Sequence, residues 1–207
     1  GEEGEFRILK RKKGVHFAQV EKITRPSEKR IEAECRHFDK CSGCHFLHTN
    51  HDFEIELKKR TFERWLKDFN YPKLEVLSQD SRLHYRNRVQ LHYEKNLIGF
   101  KISKTNQILP VPDCKIMQPK LYEAYSDFLG GWKEQRGKLN QPPRGHVELY
   151  LHEDETVKIN WNQAYAAGGF TQVHSELNLQ VQAWIKQRYP EIEGGLLELF
   201  GGVFYYI

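Results

Sequence analysis

Three cysteines, Cys35, Cys41 and Cys44, are spaced C-x5-C-x2-C, and the fourth and last, Cys114, lies far along the chain. A C-x2-C pair lets two sulfurs converge on one metal across a tight turn. Here the turn is Ser42-Gly43, and Gly43 is expected to supply a positive φ at no steric cost. A structural zinc site usually brings two such local pairs of Cys or His. In this chain the second half is one distant cysteine. Iron–sulfur clusters accept three local thiolates and a remote fourth, because their corners lie several ångströms apart. A disulfide is disfavoured, since no apolar leader opens the sequence. The spacing favours an iron–sulfur cluster and leaves zinc, or no metal, as alternatives.

The chain has 207 residues, of which 39% are hydrophobic and 13% aromatic. That is enough to build one large or two small cores. Mean hydropathy is −0.73 and the sequence pI about 8.8, with a formal net charge of +4. A modestly basic surface suits an RNA partner. No run of eighteen apolar residues occurs, so no membrane-spanning helix is expected. Cysteines grouped as reduced ligands point to the cytoplasm.

The elements that must position the cysteines follow from periodicity. Arg7 to Lys13 is a basic run, read as a solvated turn between strands or as a phosphate-contacting patch. Residues 15–22 alternate as a strand, and Ile31 to Glu34 is a short extended piece. Residues 50–69 form a helix capped by Asn50 or Asp52, with Phe53, Leu57, Phe62, Trp65 and Leu66 near one face. Leu74 to Leu77 is a short strand. Residues 83–110 make a meander with strands at Leu83–Tyr93, Leu97–Ile102 and Gln107–Pro110, which carries Cys114 back towards the first three cysteines. A second helix covers residues 118–136, a hairpin 147–160, and a third helix Ser175 to Tyr189. Leu196 to Gly202 reads as a strand entering a glycine turn, the form of the first unit of a Rossmann-like domain.

Cys35-x5-Cys41-Ser-Gly-Cys44 resembles the cluster-binding segment of the iron–sulfur RNA (uracil-5-)-methyltransferases, with Ser42 where that family usually has Gly. Thr24-Arg-Pro-Ser-Glu-Lys-Arg30, Tyr85-Arg-Asn-Arg88, Gly99-Phe100, Pro112-Asp-Cys-Lys-Ile-Met117 and Gly169-Phe-Thr-Gln-Val-His174 also resemble segments of the family. His174 stands where Asn is usual. The resemblance implies a multidomain α+β chain. Residues 1–34 would be a partial β segment similar to the TRAM RNA-binding barrel. Residues 35–165 would be a central iron–sulfur α+β domain with an antiparallel sheet, its helix 50–69 packing on the catalytic domain. Residues 166–207 would begin a Rossmann-like α/β methyltransferase domain.

By the same resemblance, Cys35, Cys41, Cys44 and Cys114 ligate a 4Fe-4S cluster that supports structure and RNA docking. Gln172 and Phe200 contact S-adenosyl-L-methionine. Arg86 and Arg88, expected on one strand face, grip RNA phosphates or are exposed strand charge. Tyr85 stacks a base or belongs to the core. His37, His45, His48 and His51 are surface groups or competing zinc ligands. The implied activity is C5 methylation of a uridine in RNA, 23S rRNA rather than tRNA, by a cytoplasmic monomer. In that chemistry a cysteine thiolate adds to C6, C5 takes the methyl group and a carboxylate removes the C5 proton. All four cysteines match cluster positions, so none is left as the nucleophile. The sequence stops at Ile207, one strand into the implied Rossmann sheet. The chain then reads as part of a longer methyltransferase, inactive alone. The competing readings are a non-catalytic RNA-binding module stabilised by metal or cluster and, more weakly, an electron carrier, whose chains are usually smaller and acidic.

Overall fold

The computed structural model describes residues 1–71 and 73–188. Its elements run β1 (Glu3–Lys12), β2 (Val15–Arg25), α1 (His51–Leu66), β3 (Arg88–Glu94), β4 (Leu97–Lys101), β5 (Ile108–Leu109), α2 (Pro119–Lys138), β6 (Arg144–Leu151), β7 (Val157–Trp161) and α3 (Ser175–Arg188). The expected strand at Leu196–Gly202, and Phe200 with it, lie outside the described residues.

The centre is a five-stranded antiparallel sheet in the order β5-β4-β3-β6-β7, with α2 laid across one face. Alternation decides which side chains go inward. Val89, Leu91 and Tyr93 of β3 meet Val147 and Leu149 of β6 and Trp161 of β7. From α2, Leu121, Tyr125, Phe128 and Trp132 recur at helical spacing and complete that core. Each such side chain contributes about 1.5–3 kcal/mol on burial. Gly145 faces Tyr93 across the β3–β6 pair. A Cβ there would collide with Asn162 Oδ1 and the Tyr93 hydroxyl, so the close approach requires glycine.

β1 and β2 form a separate antiparallel hairpin. Its turn is Lys13-Gly14, with φ of 48° and 78°, the pair of positive angles that matches strand twist in a two-residue hairpin loop. The basic run is therefore divided: Lys10, Arg11 and Lys12 belong to β1, and Lys13 makes the turn. Phe6 pairs with Val20 and Ile8 with Ala18, and Phe6, Ile8 and Val20 are exposed.

Several expectations about local structure change. Leu83 to Asn87 is not strand, and β3 begins at Arg88. Backbone bonds from His84 N–H to Lys115 O and from Arg86 N–H to Ile116 O hold that stretch to the Cys114 loop instead. Leu74 to Leu77 and Ile31 to Glu34 form no strand. Helix α1 ends at Leu66. Its one buried residue is Glu54, while Phe62 and Trp65 stay exposed. The cap is Asn50, whose side chain accepts from Phe53 N–H at 2.9 Å. Gly43 does not use the left-handed region, since the positive-φ glycines among the described residues are Gly14 and Gly169.

Candidate metal centre and adjoining groove

Two elements bring the cysteines together. The Cys35–Cys44 segment has little regular structure and is fastened to the end of β4. Ser103 N–H donates to Lys40 O at 3.1 Å, the Ser42 hydroxyl donates to Lys101 O at 3.0 Å, and Cys41 bridges to Ile102. Within the segment, Cys41 N–H donates to His37 O at 2.8 Å. The Cys114 loop leaves β5 and is fixed from α2, where the buried Tyr125 hydroxyl donates to Val111 O at 2.6 Å. His37 Nε2 then reaches Asp113 Oδ1 at 2.7 Å, and Arg36 Nε reaches Asp113 Oδ2 at 3.1 Å.

All four cysteines line one small cavity, closed by Phe38, Leu47, Val89, Phe100 and Val111 and bordered by Arg86. None is in a disulfide. Burial pushes the Cys44 thiol up to about 12, and Cys114, Cys41 and Cys35 push it the same way, against Arg86. Burial likewise raises Cys41 and Cys114. A thiol so placed becomes a thiolate only for a compensating positive charge, which a metal centre supplies. Four convergent thiols in a mainly apolar cavity are a donor set of the right chemistry for a thiolate-bound cluster. As the chain is folded here, no group of three or more His, Cys, Asp or Glu side chains among the described residues is arranged to hold a metal ion.

A groove of about 1070 Å³ adjoins the cavity, between α1, the segment around residues 74–82 and the start of α3. Arg86, Cys44, Phe100 and Ile116 border both spaces. Tyr85 stacks on His174, with ring centroids 4.7 Å apart and planes 17° off parallel. Tyr85 thus belongs to the groove wall and is half-buried. His174 also caps α3, its Nδ1 accepting from Leu177 N–H at 3.3 Å. Arg86 keeps its Nε buried without a hydrogen-bond partner among the described residues.

Arg88 departs from expectation. It does not share a face with Arg86 but turns beneath the 165–169 loop, with a side chain 1% exposed. Its Nη1 lies 3.0 Å from Glu148 Oε2, its Nη2 donates to Gly169 O at 2.6 Å, and its guanidinium packs 4.4 Å from the Tyr150 ring centroid. As folded it has no access to a phosphate. The histidines are also largely committed. His37 holds Asp113, His48 packs against Phe38, and His51 Nε2 is 2.7 Å from Gln79 O; of the four histidines near the cysteines, His45 is the exposed one. Gln172 is exposed, directly before α3. Spacing places Tyr125 on the apolar face of α2 but shows neither its hydroxyl bond to Val111 nor the contacts of Asp113 with His37 and Arg36.

No protein-family model matches the chain. It is 30% identical to a 23S rRNA (uracil(1939)-C(5))-methyltransferase RlmD of Vibrio campbellii, over 74% of the chain and 36% of that relative. An uncharacterized RNA methyltransferase of Leptospira interrogans is 27% identical, over 98% of the chain and 55% of the relative. The chain therefore spans between about a third and about half of the length of these curated relatives. Among solved structures, the Pyrococcus abyssi tRNA (uracil-54, C5)-methyltransferase, in complex with S-adenosyl-L-homocysteine, superposes with a TM-score of 0.55. That match covers 75% of this chain and 37% of the other at 22% identity, and it establishes a shared fold. The relatives are RNA methyltransferases, and the architecture is an α+β fold found in such an enzyme.

Proposed function

We propose that the chain is the cluster-carrying, RNA-docking part of an S-adenosylmethionine-dependent RNA (uracil-5-)-methyltransferase. The observation that carries this reading is the convergence of three local cysteines and the distant Cys114 on one cavity whose wall, through Arg86, is also the wall of the adjoining groove. The similarity to RNA methyltransferases supports it.

In this reading Cys35, Cys41, Cys44 and Cys114 hold a 4Fe-4S cluster. The cluster cross-links the Cys35–Cys44 segment to the Cys114 loop and stiffens the groove. Tyr85 offers an aromatic edge to an unpaired base, and Arg86 a positive charge to the RNA backbone. Gln172 presents its amide to the amino-acid end of S-adenosylmethionine, which supplies the methyl group, and Phe200 borders the same cofactor. The attacking cysteine thiolate is none of the four named here. Large-subunit ribosomal RNA is the proposed substrate, in the cytoplasm, with the protein acting as a monomer. No helix among the described residues is long and apolar enough to cross a membrane.

The test is the iron, sulfide and zinc content of anaerobically purified protein, with its visible spectrum. A cubane complement of iron and sulfide, lost in Cys114→Ser, is expected. One zinc and no sulfide would overturn the cluster reading and favour a zinc-stabilised RNA-binding module. Methylation of a ribosomal RNA transcript by the full-length protein, read as 5-methyluridine, tests the activity separately.

A further inference from the structure

Asn87 commits its side chain to the segment that carries Gln172. Its Nδ2 donates to Gln172 O at 2.9 Å and to the Ser175 hydroxyl at 2.8 Å. Its backbone N–H donates to Val173 O at 3.0 Å, and its own carbonyl accepts from Leu151 N–H of β6 at 2.8 Å. On either side, Arg86 bridges to His174 and Arg88 holds Gly169 O. Residues 169–175 are thus gripped by three consecutive residues whose other contacts reach the central sheet and the Cys114 loop. The grip takes backbone groups and one hydroxyl. It fixes the backbone at Gln172 and uses none of the Gln172 side-chain amide, which has no hydrogen-bond partner among the described residues.

The chemistry needs asparagine. One Nδ2 group supplies two protons in one plane, one to a carbonyl and one to a hydroxyl. Aspartate has the same shape but would set a carboxylate against the Gln172 carbonyl. Alanine would leave the Gln172 carbonyl without its Asn87 donor. Asn87 is 5% exposed, so water does not readily replace it.

We propose that Asn87 is a positioning residue that sets the place of Gln172 and thereby the affinity for the methyl donor, without touching the donor. The inference rests on Gln172 being a donor-binding residue. It is tested in the full-length protein with Asn87→Ala, Asn87→Asp, Ser175→Ala and Gln172→Ala. The readouts are amide hydrogen exchange over residues 170–178 and titration with S-adenosylhomocysteine, with thermal unfolding as the check on folding. Both Asn87 variants are expected to speed exchange in that segment and to weaken binding about tenfold, with Ser175→Ala intermediate. Unchanged exchange and affinity in Asn87→Asp and Ser175→Ala would overturn the proposal even if Asn87→Ala fails to fold. Weaker binding in Gln172→Ala but not in the Asn87 variants would overturn the positioning role alone. Unchanged binding in Gln172→Ala would overturn the donor role of Gln172 and, with it, the claim on affinity.

Discussion

His37 Nε2 stands 2.7 Å from Asp113 Oδ1 across a separation of 76 residues. The chain leaves the first cysteine segment, runs through α1 and three strands, and returns so that the neighbours of Cys35 and of Cys114 touch. Burial raises the Asp113 carboxyl, and His37 and Arg36 more than reverse this, holding it below the usual carboxylate range. The contact brings the distant cysteine to the local three through side chains that are not themselves sulfur ligands.

With the proposed cluster held by the four cysteines, Asp113→Ala is therefore expected to lower metal content more than stability. Partners that orient ligands typically cost ten- to a hundredfold in metal affinity when removed. Asp113 is partly exposed, so the ion pairs themselves add little to folding. Bound iron per chain, followed during challenge with a chelator, should fall faster than in the parent protein while far-ultraviolet circular dichroism stays unchanged. Equal retention of iron would show that the contact does not steady the ligands.

The sheet was legible in the sequence because its signals are local. Val89, Leu91 and Tyr93 alternate, and Leu121, Tyr125, Phe128 and Trp132 recur at helical spacing, so β3 and α2 follow from pattern alone. The grouping of Cys35, Cys41 and Cys44 was legible for the same reason, while Cys114 reaches their cavity only through the fold. Alternation failed at Leu83 to Asn87, where the backbone pairs with loops rather than a neighbouring strand. It failed again at Arg88, where the choice between phosphate ligand and buried ion pair depends on Glu148, a residue on another strand. Helix α1 misled because Phe62 and Trp65 resemble a core face, while the packing is anchored instead through Glu54.

Tyr125→Phe isolates the support that α2 gives to the Cys114 loop. The lost hydroxyl leaves Val111 O, in a nearly fully buried residue, without its 2.6 Å donor. The expected cost is about 1–3 kcal/mol, the range for an unsatisfied buried acceptor. Urea denaturation should show a lower midpoint with an unchanged slope. A midpoint equal to that of the parent would mean that the loop is held by its other contacts.

Arg82 links the same region to α1, with Nη1 3.1 Å from Glu54 Oε2 and Nη2 2.7 Å from Glu34 Oε2. Burial pushes the Glu54 carboxyl up, and hydrogen bonds from Lys58 and Arg82 outweigh it, so the group is held below the usual carboxylate range. A depressed carboxyl stabilises the fold above its unfolded pKa, and that contribution disappears as pH falls through the folded value. Arg82→Met should remove about 2 kcal/mol near neutral pH, less than a wholly orphaned buried charge because Lys58 remains. The variant should also lose less stability between pH 5 and pH 3 than the parent. A parallel pair of stability-versus-pH curves would exclude Glu54 as the titrating group.

Arg88 and Glu148 offer the sharpest separation of structure from RNA contact. Their side chains are 1% and 4% exposed, so removing one partner strands a charge in the interior. Arg88→Met is expected to destabilise by about 3–5 kcal/mol. The double variant Arg88→Met with Glu148→Leu should recover much of that loss, because a buried ion pair exchanged for apolar groups of similar volume is often close to neutral. Gly169 O still loses its Arg88 donor in the double variant, so recovery should stop short of complete. Chemical denaturation of the two single variants and the double gives the coupling energy directly. RNA affinity measured on the folded double variant then decides the remaining question. If binding is retained, the pair is structural, and Arg86 at the groove is left as the cation of the Tyr85-Arg-Asn-Arg88 stretch that meets the RNA. If binding is lost while the fold is intact, Arg88 must leave its pocket when RNA docks.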